Sequence, residues 1–399
     1  MKTPRRIARF LVAAGILLIL GGCWDMVEVS RSSLITGVAL ENGQNHAFRV
    51  TVEVLNAAET MSAENGRGDA PAQLYTAEAD TLSEAVNRMN EQFDRLLIGS
   101  HMQAIVVDER LARKGLNDLM DFFVRSRYIR EDVNLVISKN DRASDILRVP
   151  YPGGMNAGLA IQSQIFNLNR VWGGAPKSRM NDYTIATQTP GRELLLAAVS
   201  AEGPVGKNMD SVKTLEPKSS IRVMDTAVFR GDKLVGFLPA SDTNIVLLVT
   251  DDLEQTTISV PLREDKAFAA VRLVRLHASK SVRMHSGRPK ITLNVQGVGF
   301  IVSLDATMPL DRASGYQELE RLAEGYVKER IDATVKKVQT DFDADIFGFG
   351  EWMYRHRHSE FERISKSWNE LFAEAELQVD VDIKLERSEL KTRKNNEIR

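Results

Sequence analysis

Few residues of this 399-residue chain stand in a pattern that could do chemistry. His356, His358 and Glu360 lie close together, and two imidazoles with a carboxylate are a metal-ligand set. Positions i and i+2 of a helix point to different faces, however, and Arg355 and Arg357 would repel a cation, so this stretch reads as a solvated helix surface. Gly348-Phe349-Gly350 lacks the Lys-Ser/Thr of a phosphate loop, and the chain has no G-x-G-x-x-G, G-x-S-x-G or H-E-x-x-H run. Gly348 and Gly350 therefore read as backbone geometry. Arg125, Arg127 and Arg130 form a basic cluster that reads first as a helix end and its loop, and only second as an anion or partner site. His101 opens an apolar run and reads as a core histidine rather than a catalyst. Neither a catalytic constellation nor a cofactor or metal site emerges, and the expectation is a protein that is not an enzyme.

The remaining reactive group is the chain's one cysteine, Cys23, which rules out an intrachain disulfide and a Cys-rich zinc site. It follows Lys2, Arg5, Arg6 and Arg9, an apolar run from Phe10 to Leu20, and Gly21-Gly22. A charged region, a short apolar core and small residues make a secretory signal over residues 1–22. As a helix, about 11 apolar residues span only ~16 Å of a ~30 Å hydrocarbon core, so a permanent transmembrane helix is the weaker reading. Leu20-Gly21-Gly22-Cys23 resembles a bacterial lipobox, which implies cleavage before Cys23 and covalent diacylglycerol and N-acyl lipid on it. Two or more acyl chains meet the requirement for stable anchoring.

Composition is that of a globular protein, 43% apolar and 27% charged. With 52 basic against 54 acidic residues there is no cationic excess for a phosphate backbone, which excludes a dedicated nucleic-acid binder. Removing residues 1–22 leaves 48 bases and 54 acids, a net of −6. A mildly acidic body on a lipid tether is expected to stand off an anionic surface and meet partners there.

The elements that position these residues read as mixed α/β (α+β). Ser33–Leu40 and Ala47–Leu55 form a hairpin about Asn42-Gly43. A strand over Thr76–Ala79 leads to a helix capped by Thr81, then a buried strand over Ser100–Val107, a short helix stopped by Gly115, a helix through Leu119 and Phe123, and a strand from Val133 to Ser138. The Leu194–Leu196 run reads as the end of a helix. Boundaries fall in the polar stretch Glu202–Lys218 and in Glu254–Pro261. The division is a signal peptide at 1–22, an N-terminal α/β domain at 23–203, a small middle domain at 204–258, a C-terminal α/β domain at 259–390 and a tail at 391–399. The middle domain holds a hairpin about Arg230-Gly231-Asp232-Lys233. The C-terminal domain pairs an antiparallel sheet with one long helix over Tyr316–Phe342, whose stripe includes Leu319, Leu322, Tyr326, Ile331, Val335 and Val338. Glu324–Lys328 reads as an i,i+4 pair. A parity change near Gly297 and Gly299 predicts a β-bulge, and Leu377–Leu385 alternates as a last strand.

Four segments in order carry a family resemblance. Leu20–Asp25 with Glu28, Ser100-His101-Met102 through Arg125, Ala227–Gly236, and Asp345-Ile346-Phe347-Gly348-Phe349-Gly350 before Trp368 resemble the Ger(x)C spore germination lipoproteins. The resemblance implies three α/β domains in an elongated arrangement. It also implies the C subunit of a nutrient germinant receptor of an endospore-forming bacterium, on the outer face of the spore's inner membrane. The implied partners are a membrane-embedded A subunit and a transporter-like B subunit. On this reading the chain works by protein contacts, with Cys23 as its anchor and Arg125, Asp345, Gly348 and Gly350 as contact or structural positions. The alternative is an extracytoplasmic lipoprotein that captures a small nutrient in an interdomain cleft.

Overall fold

The computed structural model describes residues 32–56, 71–93, 95–151, 155–204, 216, 218–262, 267–304, 310 and 312–386. The signal at 1–22, Cys23 and the tail at 391–399 lie outside them. Two sheets organise the chain, one of nine strands and one of four.

Strands β1 (Ser32–Asn42), β2 (Phe48–Leu55) and β3 (Ala72–Ala79) form an antiparallel meander, with the expected turn between the first two. Strands β4 (Leu96–Ile98) and β5 (Ala104–Asp108) both run parallel to β1, and β6 (Asn134–Ser138) runs parallel to β5. Then come β7 (Leu195–Glu202), β8 (Ser220–Arg230) and β9 (Lys233–Pro239). The order across the sheet is β3-β2-β1-β5-β6-β7-β8-β9.

The central strands are apolar on both sides because both sides are covered. Val38, Leu40, Ile105, Val107, Leu135 and Ile137 face α1 (Leu82–Asn90), α2 (Glu109–Ala112), α3 (Asn117–Arg125) and α6 (Met180–Gln188). Ala39, Val106, Val136 and Ala197 face α4 (Ala143–Leu147) and α5 (Ala157–Trp172).

The second sheet orders β10 (Gln255–Pro261), β11 (Phe268–His285), β12 (Arg288–Leu304) and β13 (Glu376–Glu386). The first three form the expected antiparallel sheet, and β13 joins β12 in parallel. The chain leaves β12, crosses the sheet as α8 (Ala313–Asp341) and three short helices, α9 (Phe349–His356), α10 (His358–Ile364) and α11 (Trp368–Ala373), and returns in the same direction. Helix α8 buries Leu319, Ala323, Val327, Ile331, Val335 and Val338. Each of the Leu, Val and Ile side chains contributes about 1.5–3 kcal/mol on burial. Leu322 and Tyr326, expected in the stripe, pack at its margin.

Several local expectations are corrected. Leu194–Leu196 enters strand β7, because an apolar run without polar spacing fits a doubly covered strand as well as a helix. His101 is exposed in a turn, with Ser100 Oγ 3.0 Å from its Nδ1, and β5 starts only at Ala104. The described residues of 204–258 divide between the two sheets. Their hairpin, β8–β9, extends the first sheet, while α7 (Ala240–Val249) packs into the core of the second. The boundary near 258 falls inside β10. Gly297 and Gly299 keep the inward parity of Ile291, Leu293 and Val295, yet a register shift does fall at Gly297, which faces both Arg275 and Leu276 of β11, so the extra residue lies on the partner strand; a second shift lies at Val302 of β12. Glu324 does not serve as a helix-face pair: its Oε1 accepts the Ile383 N–H at 3.0 Å, and Glu320 Oε1 accepts the Leu385 N–H at 2.9 Å. Among the described residues no helix is long and apolar enough to cross a membrane.

Candidate functional site: the joint between the sheets

Helix α8 ends at Phe342, and the chain turns through Asp343, at φ 47°, into Ala344–Gly348, all buried. Asp345 has 0% exposure. Its Oδ1 accepts the Phe347 N–H at 3.1 Å. Its Oδ2 accepts the Gly350 N–H at 2.7 Å and the Trp368 indole N–H at 2.8 Å. The carboxylate thus folds the following five residues around itself and ties them to α11. Gly348 sits at φ 70°, a conformation that glycine adopts at least cost, and starts α9. At Gly350 a Cβ would lie 2.3 Å from Trp368 Nε1 and 2.8 Å from the Gly191 carbonyl oxygen, so only glycine lets the two backbones meet.

That meeting joins the sheets. The residues before β7 face the turn: Glu351 N–H donates to Gly191 O at 2.8 Å, and Glu193 N–H to Asp345 O at 2.9 Å. Glu193 accepts from Asn369 Nδ2 at 2.6 Å and from Gly231 N–H at 2.7 Å, so one side chain links β7, the β8–β9 turn and α11. Arg192 lies 3.7 Å from Glu351 and 3.9 Å from Asp252. Lys280, on β11, donates to Phe347 O. Phe347, Phe349 and Phe372 pack as tilted rings 5.5–6.2 Å apart beneath.

Burial pushes the Asp345 carboxyl above its ordinary range, against the pull of the Gly350 N–H, the Trp368 indole and the Lys280 ammonium. Burial pushes Lys280 below its ordinary range, and the Asp345 charge partly offsets this. A carboxylate shut off from solvent, with both oxygens already facing donors, cannot meet a substrate. Its chemistry is to hold one backbone conformation, with hydrogen bonds to a charged group worth about 1.5–3 kcal/mol each.

The structure brings Asp345, Gly348 and Gly350 together here. Arg125 is elsewhere, exposed in the last turn of α3 and bonded to Asp121 at 2.7 Å. Cys23 lies outside the described residues. His356 stacks on Trp352 at 4.4 Å and faces its carbonyl, while His358 faces Glu362 at 3.2 Å, so the two imidazoles have separate partners. Among the described residues no group of three or more His, Cys, Asp or Glu is placed to hold a metal ion. A cavity of about 390 Å³ opens beside Ser259, Phe268, Ala270 and Ser303, none of them charged.

Sequence reasoning missed Arg192, Glu193 and Lys280 at the joint. Lys280 had a signal, since it shares the inward parity of Ala278 and Val282 on β11. It also missed two buried carboxylates in the first sheet. Glu53, on β2, accepts the Ala157 N–H at 2.7 Å, the Gly158 N–H at 3.0 Å and the Thr36 hydroxyl at 2.8 Å. It therefore closes the N-terminus of α5, where the free N–H groups and the dipole favour an acceptor. Burial nevertheless pushes its carboxyl up. Glu41 does the same for α4 through the Ser144 N–H at 2.6 Å.

With this geometry in hand, comparison with known proteins is informative. Residues 25–201 match the model of the spore germination protein N-terminal domain, and residues 224–389 match the spore germination B3/GerAC-like C-terminal model. The chain belongs to the Ger(x)C family of spore germination proteins. Two relatives in Bacillus subtilis (strain 168) are spore germination protein KC, 20% identical over 92% of this chain and 91% of that protein, and spore germination protein B3, 20% identical over 96% and 98%. The fold is also that of the GerBC protein crystal structure, with a TM-score of 0.54, 16% identity, and coverage of 88% of this chain and 96% of that one. The family pair of models divides the chain between residues 201 and 224, where β7 passes to β8 within one sheet. The joint at Asp345 closes the two matched regions onto each other.

Proposed function

We propose that this chain is the lipid-anchored C subunit of a spore germinant receptor, acting without catalysis through protein contacts at a membrane surface. It would sit on the outer face of the spore's inner membrane with a membrane-embedded A subunit and a transporter-like B subunit. The observation that carries this reading is membership of a spore germination family along most of the chain, joined to a sole cysteine in Leu20-Gly21-Gly22-Cys23. The packing supports it: the joint's charged groups are spent on holding the two sheets together. Tethering raises a protein's effective concentration near membrane partners without any new contact.

The test is Cys23→Ala with membrane fractionation and purification of the tagged chain from a membrane extract. The wild type is expected in the membrane fraction, accompanied by A- and B-like proteins, and the variant in the soluble fraction without them. A variant that stays membrane-bound and supports nutrient-triggered germination refutes the anchor.

A further inference from the structure

We propose that the edge of the first sheet where β1 begins is a lipid-contacting surface, and that Leu96, Val124 and Tyr128 enter the headgroup region of the membrane. The proposal rests on the lipid anchor at Cys23. Strand β1 starts at Ser32, nine residues after Cys23, so a fully extended connection reaches at most about 30 Å. The chain therefore holds this edge within about 30 Å of the membrane.

The parallel strands show what else is there. Ser32 pairs with Leu96 and Gly37 with Ala104, so the β1–β4 pair begins five residues before β5. At about 3.3 Å per residue it projects roughly 16 Å beyond the start of β5. The β6 strand is in register with β5, since Ala104 pairs with Asn134. The segment that leads into it, from the last turn of α3 through Ser126–Val133, thus lies at the same edge. A Cβ on Gly99, just past β4, would touch Ile129 at 3.2 Å, which places this segment against the projecting strand.

Three large apolar side chains stand open there: Leu96 at 52% exposure, Val124 at 49% and Tyr128 at 52%. The guanidinium of Arg127 lies 4.7 Å from the centre of the Tyr128 ring. Arg125 and Arg130 are bonded to Asp121 and Asp132. Residues 121–132 carry three arginines and three acids, so the segment has no net charge. The chemistry is that of a membrane interface: a tyrosine ring at headgroup level, aliphatic side chains beside it, and long arginines whose heads remain in water. The acidic body as a whole would not be drawn to anionic lipid, and this surface does not require it. The joint with the second sheet lies on the β7–β9 side of the sheet order, away from β4.

The experiment places nitroxide labels on the full lipidated chain at Leu96→Cys, Val124→Cys and Tyr128→Cys, with Phe166→Cys on α5 as the exposed control. The acylated sulfur of Cys23 does not react with the label. In phosphatidylcholine vesicles, positions 96, 124 and 128 are expected to gain collisions with oxygen and lose collisions with a water-soluble nickel chelate, while 166 stays water-accessible. Water-like access at all three, on a chain whose mass shows the acylated Cys23, overturns the lipid-contacting surface and leaves the anchor standing. An unmodified Cys23 overturns both. A signal that appears only when phosphatidylglycerol is added also overturns the proposal, because it would assign the contact to charge.

Discussion

Replacing Asp345 by Asn tests the joint most directly. The change keeps the side chain's shape and removes one acceptor and the charge. Oδ2 faces two donors, Gly350 N–H and the Trp368 indole, and Oδ1 faces one, Phe347 N–H. The better amide rotamer keeps its oxygen on the pair and turns its NH2 against Phe347 N–H. One buried donor then loses its partner, at about 1–3 kcal/mol. The Lys280 ammonium also loses the attraction of the Asp345 charge. Relief of the carboxylate's own desolvation offsets that lost attraction, so we expect a net loss of about 1–3 kcal/mol. The assay is urea unfolding of the detergent-solubilised chain, followed by the fluorescence of Trp368 and the other indoles. Asp343→Asn is the control, since Asp343 is exposed, at φ 47°, and 4.0 Å from Arg230. It should stay within about 0.5 kcal/mol of the wild type. If Asp345→Asn matches that control, the carboxylate does not hold the turn and the account of the joint is wrong.

Other expectations follow from the same packing. Gly350→Ala drives a methyl group into Trp368 and the Gly191 carbonyl, and should lower stability by about 1–3 kcal/mol or more, as overpacking does, read from the shift in urea midpoint. Gly325→Ala, on an open face of α8 with nothing within 4 Å of the added carbon, should raise stability by about 0.5–1 kcal/mol in the same assay. Glu53 has a carboxyl raised by burial, so its contribution is fully present below its unfolded value of 4.5 and is lost as pH rises through the folded value. Glu53→Gln, which does not titrate, should therefore destabilise most at low pH, and its deficit against the wild type should shrink as pH rises. A deficit that grows with pH would contradict the burial of that carboxylate.

Much of the framework was legible because it is written in local patterns. The β1–β2 hairpin follows from Asn42-Gly43 between alternating strands, and α8 from its apolar repeat. Asp345, Gly348 and Gly350 stand out by family resemblance, but that Trp368 closes on Asp345 is visible only in the structure. What escaped depends on what covers a residue. Glu53 lies opposite Val52 and Val54 in the β2 alternation and looks like the wet face of a hairpin, until α5 is laid over it. Arg192 and Glu193 lie in the loop before β7 and Lys280 on the inward parity of β11, and they become a cluster only when the two sheets meet. The middle segment misled because Leu194–Leu196 reads as the end of a helix, which hides β7, the strand that the β8–β9 hairpin extends.

The carboxylates of Glu320 and Glu324 have a consequence beyond their own helix. Strand β13 is the outermost of its sheet, and two of its outward amides, at Ile383 and Leu385, are already occupied by α8. A border strand with two donors taken near its end offers a shorter template for strand addition by a neighbouring copy. Molecules crowded side by side would thus be protected from zipping into fibrils along this rim, and Glu320→Ala with Glu324→Ala should expose that hazard as concentration-dependent aggregation.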